Sequence, residues 1–177
     1  MNVFARVAAA VLAVGLAFSP LRSEAAGPVT KLPGASRYYP LLGHWRGTGQ
    51  LSQAGQRPVR LALRISCHKA ASGSAVRCDL VGRSAKMTYT ESDLFGVDAA
   101  TGTGHWYAVT NQGEASDLVT EWTDGKTMRA HRAWSQDGKK MAEDVTFLLP
   151  HRSSFEFRSM VTADGKEVGV FSGRLVR

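Results

Sequence analysis

Leu41-Leu42-Gly43-His44-Trp45-Arg46-Gly47-Thr48-Gly49 opens a nearly unbroken series of β-strand patterns that runs to the end of the 177-residue chain. With Trp45 facing inward, a period of two puts Gly43, Gly47, Gly49 and Leu51 on its face and His44, Arg46, Thr48 and Gln50 on the other. A half-buried antiparallel strand needs such a polar outer face. The inward glycines leave room for the indole and permit strong bending. The stretch reads as the first strand of a closed barrel, with Trp45 plugging one end.

The chain beyond it supports that reading. Val59, Leu61, Leu63, Ile65 and Cys67 alternate with Arg60, Ala62, Arg64, Ser66 and His68. Val76, Cys78 and Leu80 are the inward set of the next strand. Ser84 to Val97 is a further strand region, with Met87 and Tyr89 inward and a bend expected near Asp93. His105–Thr110, Asp117–Trp122, Thr127–Trp134, Lys140–Leu149, Ser153–Val161 and Glu167–Val176 follow. Asp124-Gly125-Lys126, Asp137-Gly138-Lys139 and Asp164-Gly165-Lys166 mark three of the turns between them with a strong hairpin signal. Short turns make neighbouring strands antiparallel. The expected fold is all-β: a single closed, up-and-down antiparallel barrel of about ten strands, preceded by a short helical turn. A two-sheet sandwich is the alternative.

The N-terminus reads as an address. Arg6 supplies the charge of a short leading region, Val7 to Phe18 is apolar, and Ser23-Glu24-Ala25 offers small residues at a cleavage site. Residues 1–25 are the expected signal peptide, 26–40 a proline-bounded lead-in, and 41–177 the barrel. The apolar run is too short to span a bilayer, which takes roughly 20 residues. The expected location is periplasmic or secreted, with no stable membrane insertion after signal removal. The formal charge of +7 falls by one without the signal, and the basic residues are scattered. Such a charge bears on solubility and weak attraction to anionic surfaces. Arg60, Arg64 and His68 share an outward face, with Arg77 opposite His68. That face is an ordinary solvated one or a contact for anionic headgroups. No nucleic-acid partner is expected of an exported chain.

Two cysteines in an exported chain suggest a disulfide. Cys67 and Cys78 straddle Ala71-Ser72-Gly73-Ser74. A four-residue loop pairs Ala70 with Ala75 and brings the cysteines to the narrower, non-hydrogen-bonded site. A two-residue loop keeps the pairing but uses the wider site. The narrower site favours the longer loop.

Leu42 through Gly49 resembles the opening of calycin-type barrels: lipocalins, fatty-acid-binding proteins and the nitrobindin-like group. Leu94-Phe95-Gly96-Val97-Asp98, His105-Trp106-Tyr107 and Trp122-Thr123-Asp124-Gly125-Lys126 look like stretches of an uncharacterised bacterial family of lipocalin-like barrels. The resemblance implies binding of a small hydrophobic or amphipathic ligand. It also implies a late-strand arginine across the opening tryptophan, and Arg174 is the matching residue. Such a pair is a favourable cation–π contact; otherwise Arg174 faces solvent. Nitrobindin-like proteins bind haem through a histidine near the C-terminal strands. This chain departs from that pattern, since none of its five histidines lies in the last two strand candidates.

Other chemistry is sparse. The histidines show no ligand spacing, so no metal or other cofactor is expected. No nucleophile elbow or phosphate loop is present, and catalysis is not expected. Asp117 with Glu121, and adjacent Glu143 and Asp144, read as solvated charges on the outer face. The expected pocket wall is Met87, Tyr89, Trp106, Trp122, His131 and Phe147, with the phases of 105–110 and 127–134 open. The alternatives are a haem-binding barrel, with His131 or His105 as ligand if inward, and an envelope interaction protein with a filled barrel. Oligomeric state is left open.

Overall fold

The computed structural model describes residues 34–151 and 153–177. The expected signal peptide and most of the lead-in therefore lie outside the described residues. The chain enters through a 3-10 helix, Ala35–Leu41, and then forms ten strands. They are Gly43–Gln53 (β1), Val59–Ala70 (β2), Ala75–Arg83 (β3), Thr88–Val97 (β4) and Gly104–Thr110 (β5). Ala115–Trp122 (β6), Thr127–Gln136 (β7), Lys139–His151 (β8), Ser154–Ala163 (β9) and Lys166–Val176 (β10) complete the set. Every strand pairs antiparallel with its sequence neighbours, and β1 closes on β10. The structure is the expected closed up-and-down barrel, which leaves no open sheet edge.

Alternation sets the interior. Trp45, Leu61, Leu63, Leu118, Met128 and Leu175 are almost wholly buried, while Arg46, Arg60, Arg64 and Arg174 face out. At Asp137-Gly138 and Asp164-Gly165 both residues have positive φ. This is the two-residue hairpin geometry whose twist matches that of the flanking strands. Asp124-Gly125 is a wider turn, held by the Asp124 carboxylate accepting from the backbone N–H of Lys126 at 2.6 Å and of Thr127 at 2.7 Å. Ser84 to Met87 is a turn as well, where the Ser84 hydroxyl accepts from the N–H of Lys86 and Met87. The ladder from Arg83↔Thr88 to Ala75↔Gly96 is continuous, so the bend expected at Asp93 is absent.

Cys67 and Cys78 form the disulfide. Ala70 pairs with Ala75, and the two cysteine Cα atoms stand 4.1 Å apart, the narrow spacing of a non-hydrogen-bonded pair.

The glycines near Trp45 act on the backbone rather than on the indole. A Cβ on Gly47 would overlap the Arg174 carbonyl oxygen, and one on Gly49 would lie 2.7 Å from Leu63 Cδ1. They allow β10 to approach β1 and close the barrel.

One end is plugged. The Trp45 indole N–H donates to the Leu41 carbonyl at 2.7 Å, and its ring meets Phe155 edge-on at 4.9 Å. Tyr38, 1% exposed, shares a 2.5 Å hydrogen bond with the Thr120 hydroxyl. The cation across Trp45 is Arg177, 4.5 Å from the ring, and not Arg174. Leu175 must face inward, so Arg174 faces out, where it lies 3.4 Å from Glu156. Arg177 lies past the end of β10 and folds back over the barrel end, donating to the Leu42 carbonyl at 2.7 Å.

Candidate functional site

Above the plug the barrel is hollow. A cavity of about 550 Å³ lies inside it, with Ala54, Gln56, Gln112 and Glu114 among its lining residues. Those four belong to turns at the end opposite the 3-10 helix, so the mouth is there. A wider hollow, about 990 Å³, is an outer groove over β1, β2 and β8–β10, whose Arg174 is already paired with Glu156. The interior cavity is the better site, because it is walled on all sides and combines apolar surface with a few convergent polar groups.

The deeper wall is aromatic. Phe95 stacks on Trp106 at 5.5 Å, and Phe147 meets both rings edge-on. Phe157 contacts Phe171 at 4.9 Å and lies 6.3 Å from Phe147. Leu51, Leu80, Val161 and Phe171 face the cavity nearer the mouth.

A polar belt runs around the same wall. Tyr89, Glu91 and Asp93 are successive inward residues of β4. The Tyr89 hydroxyl donates to Glu91, and the Trp106 indole N–H donates to Asp93 at 2.8 Å. On β7 to β9 Arg132 Nε donates to Glu143 Oε2 at 2.7 Å, and the Ser159 hydroxyl donates to Glu143 Oε1 at 2.7 Å. The Arg132 guanidinium also lies 4.4 Å over the Trp134 ring.

Burial governs the titration of this belt. Asp93 is 7% exposed, and burial, then the charge of Glu91, push its carboxyl well above the usual carboxylate range. Burial also raises Glu91. Burial, followed by the charge of Glu91, raises the Tyr89 hydroxyl, which stays protonated and donates. Two buried carboxyls, both raised by burial, thus lie on the same strand face beside an apolar space.

Of the expected pocket residues, Tyr89, Trp106 and Phe147 line the cavity. Met87 and Trp122 pack against the core without lining it, and the Trp122 indole N–H has no hydrogen-bond partner. His131 is exposed on the outer face, because Ala130 and Arg132 take the inward phase of β7. His105 also faces out, 2.9 Å from Asp117. Glu143 is no outer-face charge: it is the inward member of the Glu143–Asp144 pair. Among the described residues no histidine lines the cavity, and no three His, Cys, Asp or Glu side chains are placed to hold a metal ion. The sequence signal for Glu91 and Asp93 was the period-two series Tyr89, Glu91, Asp93, Phe95, which a supposed bend hid.

Two solved structures share the fold. Rv2717c from M. tuberculosis superposes with a TM-score of 0.64 at 16% identity, covering 82% of this chain and 98% of that one. The S-type phycobiliprotein lyase CpeS from Guillardia theta gives a TM-score of 0.57 at 13% identity, covering 79% and 89%. No family model matches the chain, and no curated protein matches it. At these identities the likeness is one of fold alone, a ten-stranded antiparallel barrel.

Proposed function

We propose that the protein binds a small hydrophobic or amphipathic ligand inside the barrel, without catalysis. The observation that carries this reading is the cavity of about 550 Å³, aromatic in its depth and open at the turn-bearing end. Burying ligand apolar surface there contributes about 25 cal/mol per Å² before association costs. CpeS is a phycobiliprotein lyase. That is compatible with ligand handling in such barrels and says nothing of this ligand. The haem reading has less support, because the candidate ligands His105 and His131 face outward.

The protein is proposed to work outside the cytoplasm. The signal-like N-terminus and the Cys67–Cys78 disulfide support this. No helix among the described residues is long and apolar enough to cross a membrane.

Titration with the neutral probe N-phenyl-1-naphthylamine tests the binding reading. Saturable one-to-one binding is expected, with energy transfer from Trp106. Ala108→Phe, which fills the cavity from an inward position on β5, should weaken it at least tenfold. Binding that this substitution leaves untouched would assign the probe to the outer surface and refute the reading.

A further inference from the structure

The outside and inside of this barrel carry opposite charge. The whole chain is basic at +7. The cavity wall, among the described residues, holds four carboxyls, Glu91, Asp93, Glu114 and Glu143, against a single cation, Arg132. That cation is already taken: it bonds Glu143 at 2.7 Å and lies on the Trp134 ring at 4.4 Å. Glu91 and Asp93 are left with only hydrogen-bond donors for company, Tyr89 and Trp106. A hydrophobic cavity that served neutral or anionic chains would have no use for this arrangement. Burying uncompensated carboxyls is costly, and a fatty carboxylate would meet them as like charges.

We propose that the cavity selects an amphipathic organic cation, an amine or quaternary ammonium on an apolar body, with the Glu91–Asp93 pair as its counter-charge. This rests on the ligand-binding reading above and names its ligand class. The apolar body would enter first, against Phe95, Trp106, Phe147 and Phe157. Its cationic head would stop at the level of Glu91, below Glu114 at the mouth. Tyr89 and Phe171, 5.9 Å apart and edge-to-face, bring aromatic surface to that level, which favours a cation that has shed its water. A metal ion is not the occupant, because the acidic groups are not placed as a ligand set. A cation seated beside Glu91 and Asp93 favours their ionised forms, so binding releases a proton to solvent.

The linkage has a definite sign. The groups facing the pair are Tyr89 on its own strand, Glu114 from the β5–β6 turn, and Arg132 and Glu143 from β7 and β8; Asp79 on β3 adds its charge from the outer face. The carboxyls around it hold its proton tightly, so a cation must compete with protons. Affinity for a cation therefore rises with pH through the pair's titration, and affinity for a neutral chain does not.

The test is displacement of N-phenyl-1-naphthylamine by three ligands of equal chain length: decyltrimethylammonium, 1-decanol and decanoate, between pH 5 and 8, each below its micelle concentration. The expected order at pH 8 is cation tightest, by at least tenfold over decanoate. Calorimetry of the cation in two buffers of different ionisation enthalpy should show proton release. Glu91→Gln with Asp93→Asn should cut the ratio of cation to alcohol affinity at least tenfold and abolish its pH dependence. Glu114→Gln, an exposed position that folding tolerates, should lower that ratio by a smaller factor. Equal or tighter binding of decanol or decanoate, or a cation affinity indifferent to these variants, overturns the proposal while the ligand-binding reading stands. Failure of the neutral probe and all three chains to bind the wild-type protein defeats both.

Discussion

Asp93 concentrates the physical tension of this molecule in one side chain. It is buried, its carboxyl is raised well above the usual range by burial and by the charge of Glu91, and its hydrogen-bond partner is the Trp106 indole. An unfolded aspartate titrates near 3.9. The folded state therefore holds a proton over a pH range in which the unfolded chain has lost it. Stability then falls as pH rises from about that value through the raised pKa, and is level above it. Asp93→Asn keeps an oxygen to accept from Trp106 and cannot ionise. Thermal melts of both proteins across pH 4 to 8 should show the variant gaining relative to wild type as pH rises. A difference that is flat with pH would mean that Asp93 is ionised throughout. The residue was legible in the sequence only as one position of an alternation. Tyr89 and Phe95 fixed the inward phase, and charge at 91 and 93 argued against it. Local polarity made the wrong choice at Glu143. An inward carboxylate is stabilised by partners from other strands, here Arg132 and Ser159, which no local pattern reveals. The arginine across Trp45 went astray for a related reason: a strand period cannot place Arg177, which lies beyond the strand.

At the scale of elements, the 3-10 helix Ala35–Leu41 is the piece held least by sheet bonding and most by side chains. Tyr38 reaches Thr120, Tyr39 donates to the Gly73 carbonyl at 2.8 Å, and Arg177 donates to the Leu42 carbonyl. Gly104 lies beneath the Tyr38–Thr120 bond, where a Cβ would strike both oxygens. Tyr38→Phe leaves the Thr120 hydroxyl buried without its partner. That should cost about 1–3 kcal/mol. The loss should be local first. Amide exchange of Arg37 and Leu42, whose N–H groups bond only within the plug at Gly34 and Tyr39, should accelerate more than exchange in β1. Uniform acceleration across the barrel would show the plug to be part of the cooperative core. The hairpins, by contrast, were readable in advance, because Asp-Gly fixes its turn through local backbone geometry. The plug was foreseen only as a helical turn, because its anchors lie far off in sequence.

The whole molecule depends on a single closure, the pairing of β1 with β10, and that closure passes through glycine. Alternation and short turns predicted ten strands in a closed meander, since each of those signals is local. What the sequence concealed was why Gly47 and Gly49 stand where they do, because their neighbours belong to the last strand. Gly47 pairs with Leu175 and Gly49 with Gly173, so the first and last strands meet through three glycines and one fully buried leucine. A Cβ at Gly47 has nowhere to go but into the β10 backbone, and backbone cannot yield as a side-chain tip does. Gly96 makes a suitable contrast, since it is a strand glycine with open space around its absent Cβ. Gly47→Val should therefore cost more than about 3 kcal/mol in a urea titration, against about 0.5 kcal/mol or less for Gly96→Ala. The damage should also have a location. Amide protection should be lost along Thr48–Gln50 and Ser172–Arg174 and kept along β4–β5. Both freed strands would then present unpaired edges, so concentration-dependent association should accompany the loss. Similar costs at the two glycines, or protection lost evenly around the ring, would mean that closure is shared among all ten strand pairs and that Gly47 is not its hinge.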